Sequence, residues 1–244
     1  MSLLHPLVAP WLARVASRER ERFVVRGSLL TATWCPGRPT EDVDHLLVGL
    51  SSIEAAREAA HALAAGAPFA IASEEVIWAD TPLPGLRLRL VDPSRPEVAE
   101  LQVDLGWGDP LTLPPAPLEI AGVPVLGVRP ETMVGWKTHG LVEFGGKWRP
   151  KDLLDITLLA RLPLAHDDVV AATYEAFSSR GASPELLRRF LWSGEWGRSR
   201  GSRRKWETFA KRWKGSSMPP AFDEVVRAAR VFLGPIGRAL GVEP

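Results

Sequence analysis

Hydrophobic residues change their spacing near the middle of the chain, and this change predicts two halves of different construction. In the first half, apolar runs of strand length such as "RFVVRGS", "DVDHLLVGL", "LRLRLVD" and "AELQVDLGWG" are bounded by glycine, proline or aspartate. The stretch "SSIEAAREAAHALAAG" instead places apolar residues at helical spacing between an N-capping serine and a glycine stop at Gly66. The first half therefore predicts a small mixed β-sheet with helical cover.

The second half predicts mostly helices. Apolar residues recur at helical spacing in "PETMVGWKTHGLVEF", "RPKDLLDITLLAR" and "AFDEVVRAARVFLGPIGRAL", and residues 165 to 190 predict another helix or two. Between the halves, "DPLTLPPAPLEIAGVPVLGVRP" has six prolines, too many for a central strand, and predicts a crossover with short edge strands. The predicted fold class is therefore α+β, with a core over residues 1–130 and a mostly helical domain over residues 131–244.

The overall composition excludes several classes of protein. The 244 residues include 30 Lys and Arg against 29 Asp and Glu, so the chain as a whole is neither a polycationic nucleic-acid binder nor an acidic tail. Cys35 is the single cysteine, which excludes an internal disulfide and suits a reducing, cytoplasmic setting.

Because no apolar run approaches the roughly 20 residues that span a bilayer, we expect a soluble protein without membrane association. Pro6 and Pro10 interrupt the N-terminal stretch, which argues against a signal peptide.

Two carboxylates occupy one side of a predicted strand. Asp42 and Asp44 in "DVDHLLVGL" are two residues apart, so their side chains point to the same side, roughly 6.5 to 7 Å apart along the strand. Their repulsion is tolerable if both are solvated or if a cation lies between them. Asp104 in "LQVDLGWG" would join them if the two strands are neighbours, and three oxygen donors suit Mg²⁺. The plainer alternative, a solvated strand edge, is the more common fate of so short a motif.

A Gly-Ser pair precedes the carboxylates. Gly27 follows a predicted strand and Ser28 opens a predicted helix. Free N–H groups at a helix N-terminus bind phosphate, and glycine lets phosphate oxygens approach the backbone. The alternative is an ordinary helix N-cap, and the two interpretations are compatible.

The order of these motifs carries a family resemblance. This order resembles that of the DNA polymerase β-type nucleotidyltransferases: a strand, Gly-Ser, a helix, a loop, Asp-x-Asp, and a later aspartate on another strand. The thirteen residues between Ser28 and Asp42 are more than is usual in that superfamily. "RPETMVGWKTHGLVEFGGKWRPKDLLDI", together with "LQVDLGWGDPLTLPP" and "KWETFAKRW", is similar to the AbiEii-type toxin nucleotidyltransferases over nearly the whole chain. One departure is that Gly135 and Trp136 precede Lys137 where that family often has Ala-Glu.

The resemblance implies an activity and a role for each matching residue. It implies Mg²⁺-dependent transfer of a nucleoside monophosphate from an NTP to an acceptor hydroxyl, with pyrophosphate released. Lys137 would contact the triphosphate and Asp152 would reach the site or orient Lys137; the alternative for Lys137 is a solvated helix surface. The catalytic residues implied by the resemblance are Asp42, Asp44, Lys137 and Asp152. The implied nucleotide-binding residues are Gly27, Ser28, Lys137 and Arg38. The implied metal ligands are Asp42, Asp44 and Asp104, and the implied supporting residues are Thr40, Arg149 and Asp155.

The resemblance also implies a class of acceptor. It suggests an RNA end, such as the tRNA acceptor stem, and a toxin role with a separate antitoxin. The segment "GRSRGSRRKWETFAKRWKG" has eight basic residues against one acid, and Arg200, Arg203 and Arg204 are its candidate RNA-binding residues; the alternative is a solvated surface. Two other functions remain open: a small-molecule nucleotidyltransferase of the aminoglycoside type, and a non-catalytic nucleotide-binding regulator. The presence of Ser28, Asp42, Asp44 and Lys137 together argues against the regulator.

Overall fold

The chain folds into two compact units. The computed structural model describes residues 4–79, 83–143 and 145–244. The first unit comprises Met1–Asp109 and Pro114–Val128, and the second comprises Pro110–Leu113 and Arg129–Pro244. Within the described ranges no helix is both long enough and apolar enough to cross a membrane.

A mixed sheet forms the centre of the first unit. Its seven strands, counted over the described residues, run in the order β3-β4-β5-β2-β1-β7-β6. The β2–β5 and β1–β7 pairs are parallel, and the other neighbouring pairs are antiparallel. The strands are β1 (Phe23–Arg26), β2 (Asp42–Leu47), β3 (Ala70–Ile77), β4 (Gly85–Val91), β5 (Leu101–Trp107), β6 (Ala116–Ile120) and β7 (Val123–Gly127).

This sheet confirms the predicted α+β class and differs from the sequence-based expectation in two strands. The sequence does not predict β3, because most side chains of this edge strand are exposed and show no buried alternation. The expectation of edge strands near residues 116–127 is correct for β6 but wrong for β7, which lies between β1 and β6. β7 accommodates Pro124 because its register with β1 is limited to Val25 opposite Gly127, at the other end of the strand.

The described residues of the first unit include three helices: α1 (Val8–Arg18), α2 (Gly27–Trp34) and α3 (Ile53–Ala64). Trp11 of α1 is fully buried and its ring packs on Phe23, His45 and Phe69. Since side chains alternate along a strand, α1 covers the face of β2 opposite the one that carries Asp42 and Asp44. The carboxylates therefore lie on the other face of the sheet.

Helices make up the second unit, and α4 (Pro130–Val142) is buried on almost every side. The predicted helix extends to Phe144, which lies outside the described residues. Gly135 explains how closely α4 approaches its neighbour, because a Cβ at this position would lie 2.5 Å from the carbonyl oxygen of Ala172. The remaining helices are α5 (Pro150–Leu159), α6 (His166–Ser178), α7 (Leu187–Leu191), α8 (Arg200–Lys211) and α9 (Phe222–Ala239).

Candidate active site

Ser28 joins the start of α2 to both carboxylates of β2. Its hydroxyl donates to Asp42 Oδ1 at 2.5 Å and lies 2.6 Å from Thr40 Oγ1, and its backbone N–H points to Asp44 Oδ2 at 3.4 Å. Asp42 and Asp44 are partly exposed on one face of β2. The structure thus brings together Ser28, Thr40, Asp42 and Asp44 at one end of the sheet.

Gly27 is required by this arrangement for two reasons. Its φ of +74° lies in the left-handed region, which strains any residue with a Cβ. A Cβ at this position would also overlap the carboxylate of Asp44 and lie 2.8 Å from the Asp44 Cβ. Glycine therefore allows the backbone at the start of α2 to contact the carboxylate directly.

Charged residues form a row across five strands of the sheet. In the strand register, Arg26 of β1 lies opposite Asp44, Asp44 opposite Asp104, Asp104 opposite Arg87, and Arg87 opposite Glu75 of β3. Residues directly opposite each other point to the same face of a sheet. The two neighbouring aspartates are therefore flanked by an arginine on each side.

Arg87 binds Asp104 through two hydrogen bonds. Its Nε and Nη2 donate to Oδ1 and Oδ2, each at 2.8 Å, and Gln102 Nε2 donates to Oδ2 at 3.2 Å. The hydrogen bonds to Asp104 raise the pKa of the Arg87 guanidinium, so Arg87 stays protonated. Arg87 was not among the residues predicted from the sequence, although "LRLRL" alternates buried leucines with arginines on the other face of β4.

Arg26 is a second residue that the sequence analysis missed. Its side chain is largely buried, forms an ion pair with Asp109, and lies 6.0 Å from the centre of the Trp78 ring. Gly106 makes room for it, because a Cβ there would meet the guanidinium. Arg38, a predicted nucleotide-binding residue, lies in the loop after α2 and donates to the carbonyl of Pro39.

The donor set of the first unit suits a magnesium–nucleotide complex. Mg²⁺ is commonly held by one or two carboxylates while waters and substrate phosphates complete its shell. Asp42 and Asp44 supply two such groups on one partly exposed face. Asp104 is buried and both of its oxygens bind Arg87. Among the described residues, no three His, Cys, Asp or Glu side chains are grouped so as to hold a metal ion.

Lys137 lies in the second unit in a buried cluster of charges. Its Nζ is 3.1 Å from Asp152 Oδ1 and 2.7 Å from Asp155 Oδ2, and Arg149 Nε donates to Asp152 Oδ2 at 2.6 Å. Both aspartates are fully buried and Lys137 is 8% exposed, which excludes the solvated-lysine alternative. Burial alone lowers the pKa of the Lys137 ammonium, but Asp155 and Asp152 outweigh it and raise this pKa.

The candidate RNA-binding arginines lie on α8. Arg200, Arg203 and Arg204 are exposed, and Arg203 donates to both carboxylate oxygens of Asp223 at 3.0 and 3.1 Å. The opposite side of α8 is fixed by Trp206, which is buried against Phe222.

Comparisons with solved structures show the same fold. A protein from H. pylori described as a nucleotidyltransferase is 14% identical, with a TM-score of 0.56 over 96% of this chain and 93% of that one. JHP933 from Helicobacter pylori is 15% identical, with a TM-score of 0.54 over 96% of this chain and 90% of that one. No curated protein matches the chain significantly.

A family match covers most of the sequence. Residues 11–228 match the family described as "Nucleotidyl transferase AbiEii toxin, Type IV TA system". This match spans both units and every candidate residue named above, and it confirms the predicted resemblance. The chain therefore belongs to the AbiEii family of nucleotidyltransferase toxins.

Proposed function

We propose that this nucleotidyltransferase transfers a nucleoside monophosphate from an NTP to a hydroxyl at an RNA end, with Mg²⁺ held by Asp42 and Asp44. The observation that carries the proposal is the contact of Ser28 with both carboxylates at the N-terminus of α2. A helix N-terminus and a pair of carboxylates together suit a substrate that is itself a metal-bound phosphate.

The proposed reaction is an in-line displacement at the α-phosphate. The acceptor hydroxyl gives up its proton to water as its oxygen forms a bond to the α-phosphorus. The bond between the α-phosphorus and the oxygen that bridges to the β-phosphate breaks, and pyrophosphate leaves. Bound Mg²⁺ would supply charge neutralisation and activation of the attacking oxygen. Gly27 and Ser28 bind phosphate oxygens in this scheme, while Arg87 fixes Asp104 beside Asp44 and offsets its charge.

Lys137 is proposed to neutralise charge on the triphosphate. Asp152 and Asp155 keep its ammonium protonated and limit its orientations, and Arg149 neutralises the second oxygen of Asp152. Thr40 and Arg38 are proposed to support the Ser28 region from the loop before β2. A fixed cation stabilises developing phosphate charge without reorganisation during the reaction.

The RNA acceptor, the toxin role and a cognate antitoxin form the finer part of the proposal. They are supported by the type IV toxin–antitoxin description of the family and by the basic character of the second unit. A polyanionic acceptor is attracted by such a surface over long range. A small uncharged or cationic acceptor would gain nothing from it.

The test is the destination of a labelled nucleotide. The purified chain is incubated with Mg²⁺ and each α-labelled NTP in turn, together with total RNA, a protein extract or a pool of small aminoglycoside-type acceptors. The proposal predicts label in RNA that is removed by ribonuclease and requires an intact RNA end. Label in protein or small molecules alone would contradict the RNA acceptor, and no label from any NTP would contradict the transferase assignment.

A further inference from the structure

Charge is divided unequally between the two units. The second unit has 20 Lys and Arg against 13 Asp and Glu, a formal charge of +7, whereas the first has 10 against 16, a formal charge of −6. The near-neutral total conceals this division. The excess of positive charge available to a polyanion therefore lies in the second unit.

One face of α8 concentrates this positive charge. Arg200, Arg203, Arg204 and Lys211 follow the three- and four-residue spacing of a helix face, with Glu207 as the one acid among them. These residues and Thr208 line a surface groove of about 660 Å³. We name this surface the basic groove.

The charges of the basic groove are mostly not neutralised by the protein. Arg203 is paired with Asp223, but within the described part of the chain Arg200, Arg204 and Lys211 form no ion pair. All three are exposed. Trp206 holds the opposite side of the helix against the protein, so the cations are presented from a fixed backbone.

Arg203 also lines a second cavity beside the basic groove. This cavity, of about 450 Å³, is lined by Arg198, Arg227 and Arg230, by the acid Asp223, and by apolar side chains that include Trp196 and Phe222. Carbonyl oxygens of Phe190 and Ser193 accept hydrogen bonds from Arg230 at 2.7 and 2.8 Å and fix its direction. Burial first, and then the nearby charge of Arg198, lower the pKa of the Arg230 guanidinium.

The side chains of the basic groove favour a nucleic-acid backbone over an acidic protein. Its lining is entirely charged or hydroxylated and contains no apolar residue. Protein interfaces are centred on buried aromatic or aliphatic anchors, whereas phosphate contacts need only cations and hydrogen-bond donors.

We propose that the basic groove binds consecutive phosphates of the RNA acceptor, and that the adjoining cavity takes the next phosphate on Arg198 and Arg230. This inference rests on the proposed RNA acceptor and adds the surface that holds it. Arg200, Arg204 and Lys211 are the principal contacts, since Arg203 is already neutralised by Asp223.

The experiment measures binding of the full chain to a fluorescein-labelled RNA hairpin with a single-stranded 3′ end, without NTP or Mg²⁺, between 50 and 200 mM salt. The R200Q/R204Q/K211Q variant should bind about tenfold more weakly or worse, and its log–log salt slope should fall by about 2, which is roughly 0.7 for each lost contact. The matched control K151Q/R161Q/R189Q removes three exposed cations elsewhere in the second unit and should bind as the wild type does.

Any of the following four results would overturn the inference. Equal affinity and slope for the wild type and the groove variant would show that the groove does not hold RNA, even if nucleotide is still transferred to RNA. Equal losses in groove and control variants would show a diffuse charge effect. Poly-glutamate that displaces RNA at matched charge would assign the groove to an acidic protein. Absence of wild-type binding at 50 mM salt would reject the surface, while the labelled-nucleotide test reports separately on the acceptor.

Discussion

The contact between Ser28 and the two carboxylates depends on the residue before it. Gly27 combines a left-handed backbone with direct contact to Asp44, so two penalties fall on a single substitution. Gly66 has a similar φ of +66° but open space around its Cα. Comparing alanine substitutions at Gly27 and at Gly66 therefore separates the effect of backbone strain from the effect of losing the contact with Asp44.

Gly27→Ala should abolish nucleotide transfer and destabilise the chain by more than the roughly 1–2 kcal/mol expected from a left-handed alanine. Gly66→Ala should cost about that backbone penalty alone and retain transfer. Urea unfolding and steady-state rates of both variants provide the check. Wild-type transfer by Gly27→Ala would show that the start of α2 does not need to contact Asp44.

His45 makes the stability of the chain depend on pH. Its side chain lies on the face of β2 opposite Asp42 and Asp44. It is fully buried, its Nε2 accepts from the Trp11 indole at 2.9 Å, and burial is the main reason that its pKa falls to about 3. An unfolded histidine titrates near 6.5. Between these two values the unfolded chain binds a proton that the folded chain does not, so stability falls as the pH is lowered from about 6.5 towards 3.

His45→Gln should remove this component of the pH dependence, because a glutamine can accept from Trp11 without titrating. The wild type should lose about 2 kcal/mol from His45 between pH 7 and pH 5, and the variant should lack that loss. Urea unfolding of both proteins at pH 7, 6 and 5 measures the difference. Parallel curves for the two proteins would mean that His45 binds its proton equally well in the folded state.

At the scale of elements, Gly135 sets the distance between α4 and α6. Gly135→Ala should destabilise the chain by about 1–3 kcal/mol, because the new methyl would press on the Ala172 carbonyl. Gly201→Ala in the exposed face of α8 is the matched control; its Cβ would meet nothing closer than 3.8 Å, and helix propensity predicts a gain of up to about 1 kcal/mol. Equal effects in thermal unfolding would show that α4 and α6 can separate without cost.

The Lys137 cluster links α4 to α5 and requires a variant that separates folding from function. Lys137→Met should cost about 3–5 kcal/mol, because two buried carboxylates lose their cation. Adding Asp152→Asn and Asp155→Asn should restore most of that stability. If Lys137 neutralises the triphosphate, both variants should be slower by about 10² or more. A stable triple variant with the wild-type rate would make the cluster purely structural.

Sequence periodicity predicted the sheet strands where one face is buried and failed where burial is incomplete. β2 and β5 are evident from their apolar runs, and the paired aspartates on β2 follow from the two-residue repeat. β3 and Arg87 were missed because an edge strand shows little burial and a partner across a sheet is set by register. Burial of Lys137 was not predicted either: the resemblance associated Asp152 with Lys137, but only the fold shows that this lysine and both aspartates are buried.

At the scale of the molecule, the division of charge between the units is consistent with separate tasks. The carboxylates proposed to hold Mg²⁺ lie in the acidic unit, and the basic groove proposed to hold RNA lies in the basic one. Loss of the Mg²⁺ site should therefore leave RNA binding unchanged. Loss of the basic groove should raise the KM for RNA with little change in the KM for NTP.

The most direct test of the account compares α- and γ-labelled NTP in the wild type, Asp42→Asn and Asp44→Asn. The wild type should place the α-label on the acceptor and release the γ-label as pyrophosphate. Each variant should retain under about 1% of that transfer, in line with loss of a required charge, while its free energy of unfolding stays within about 1 kcal/mol of the wild type. Near-wild-type transfer by either variant, or γ-label on the acceptor, would contradict nucleotide transfer at this carboxylate pair.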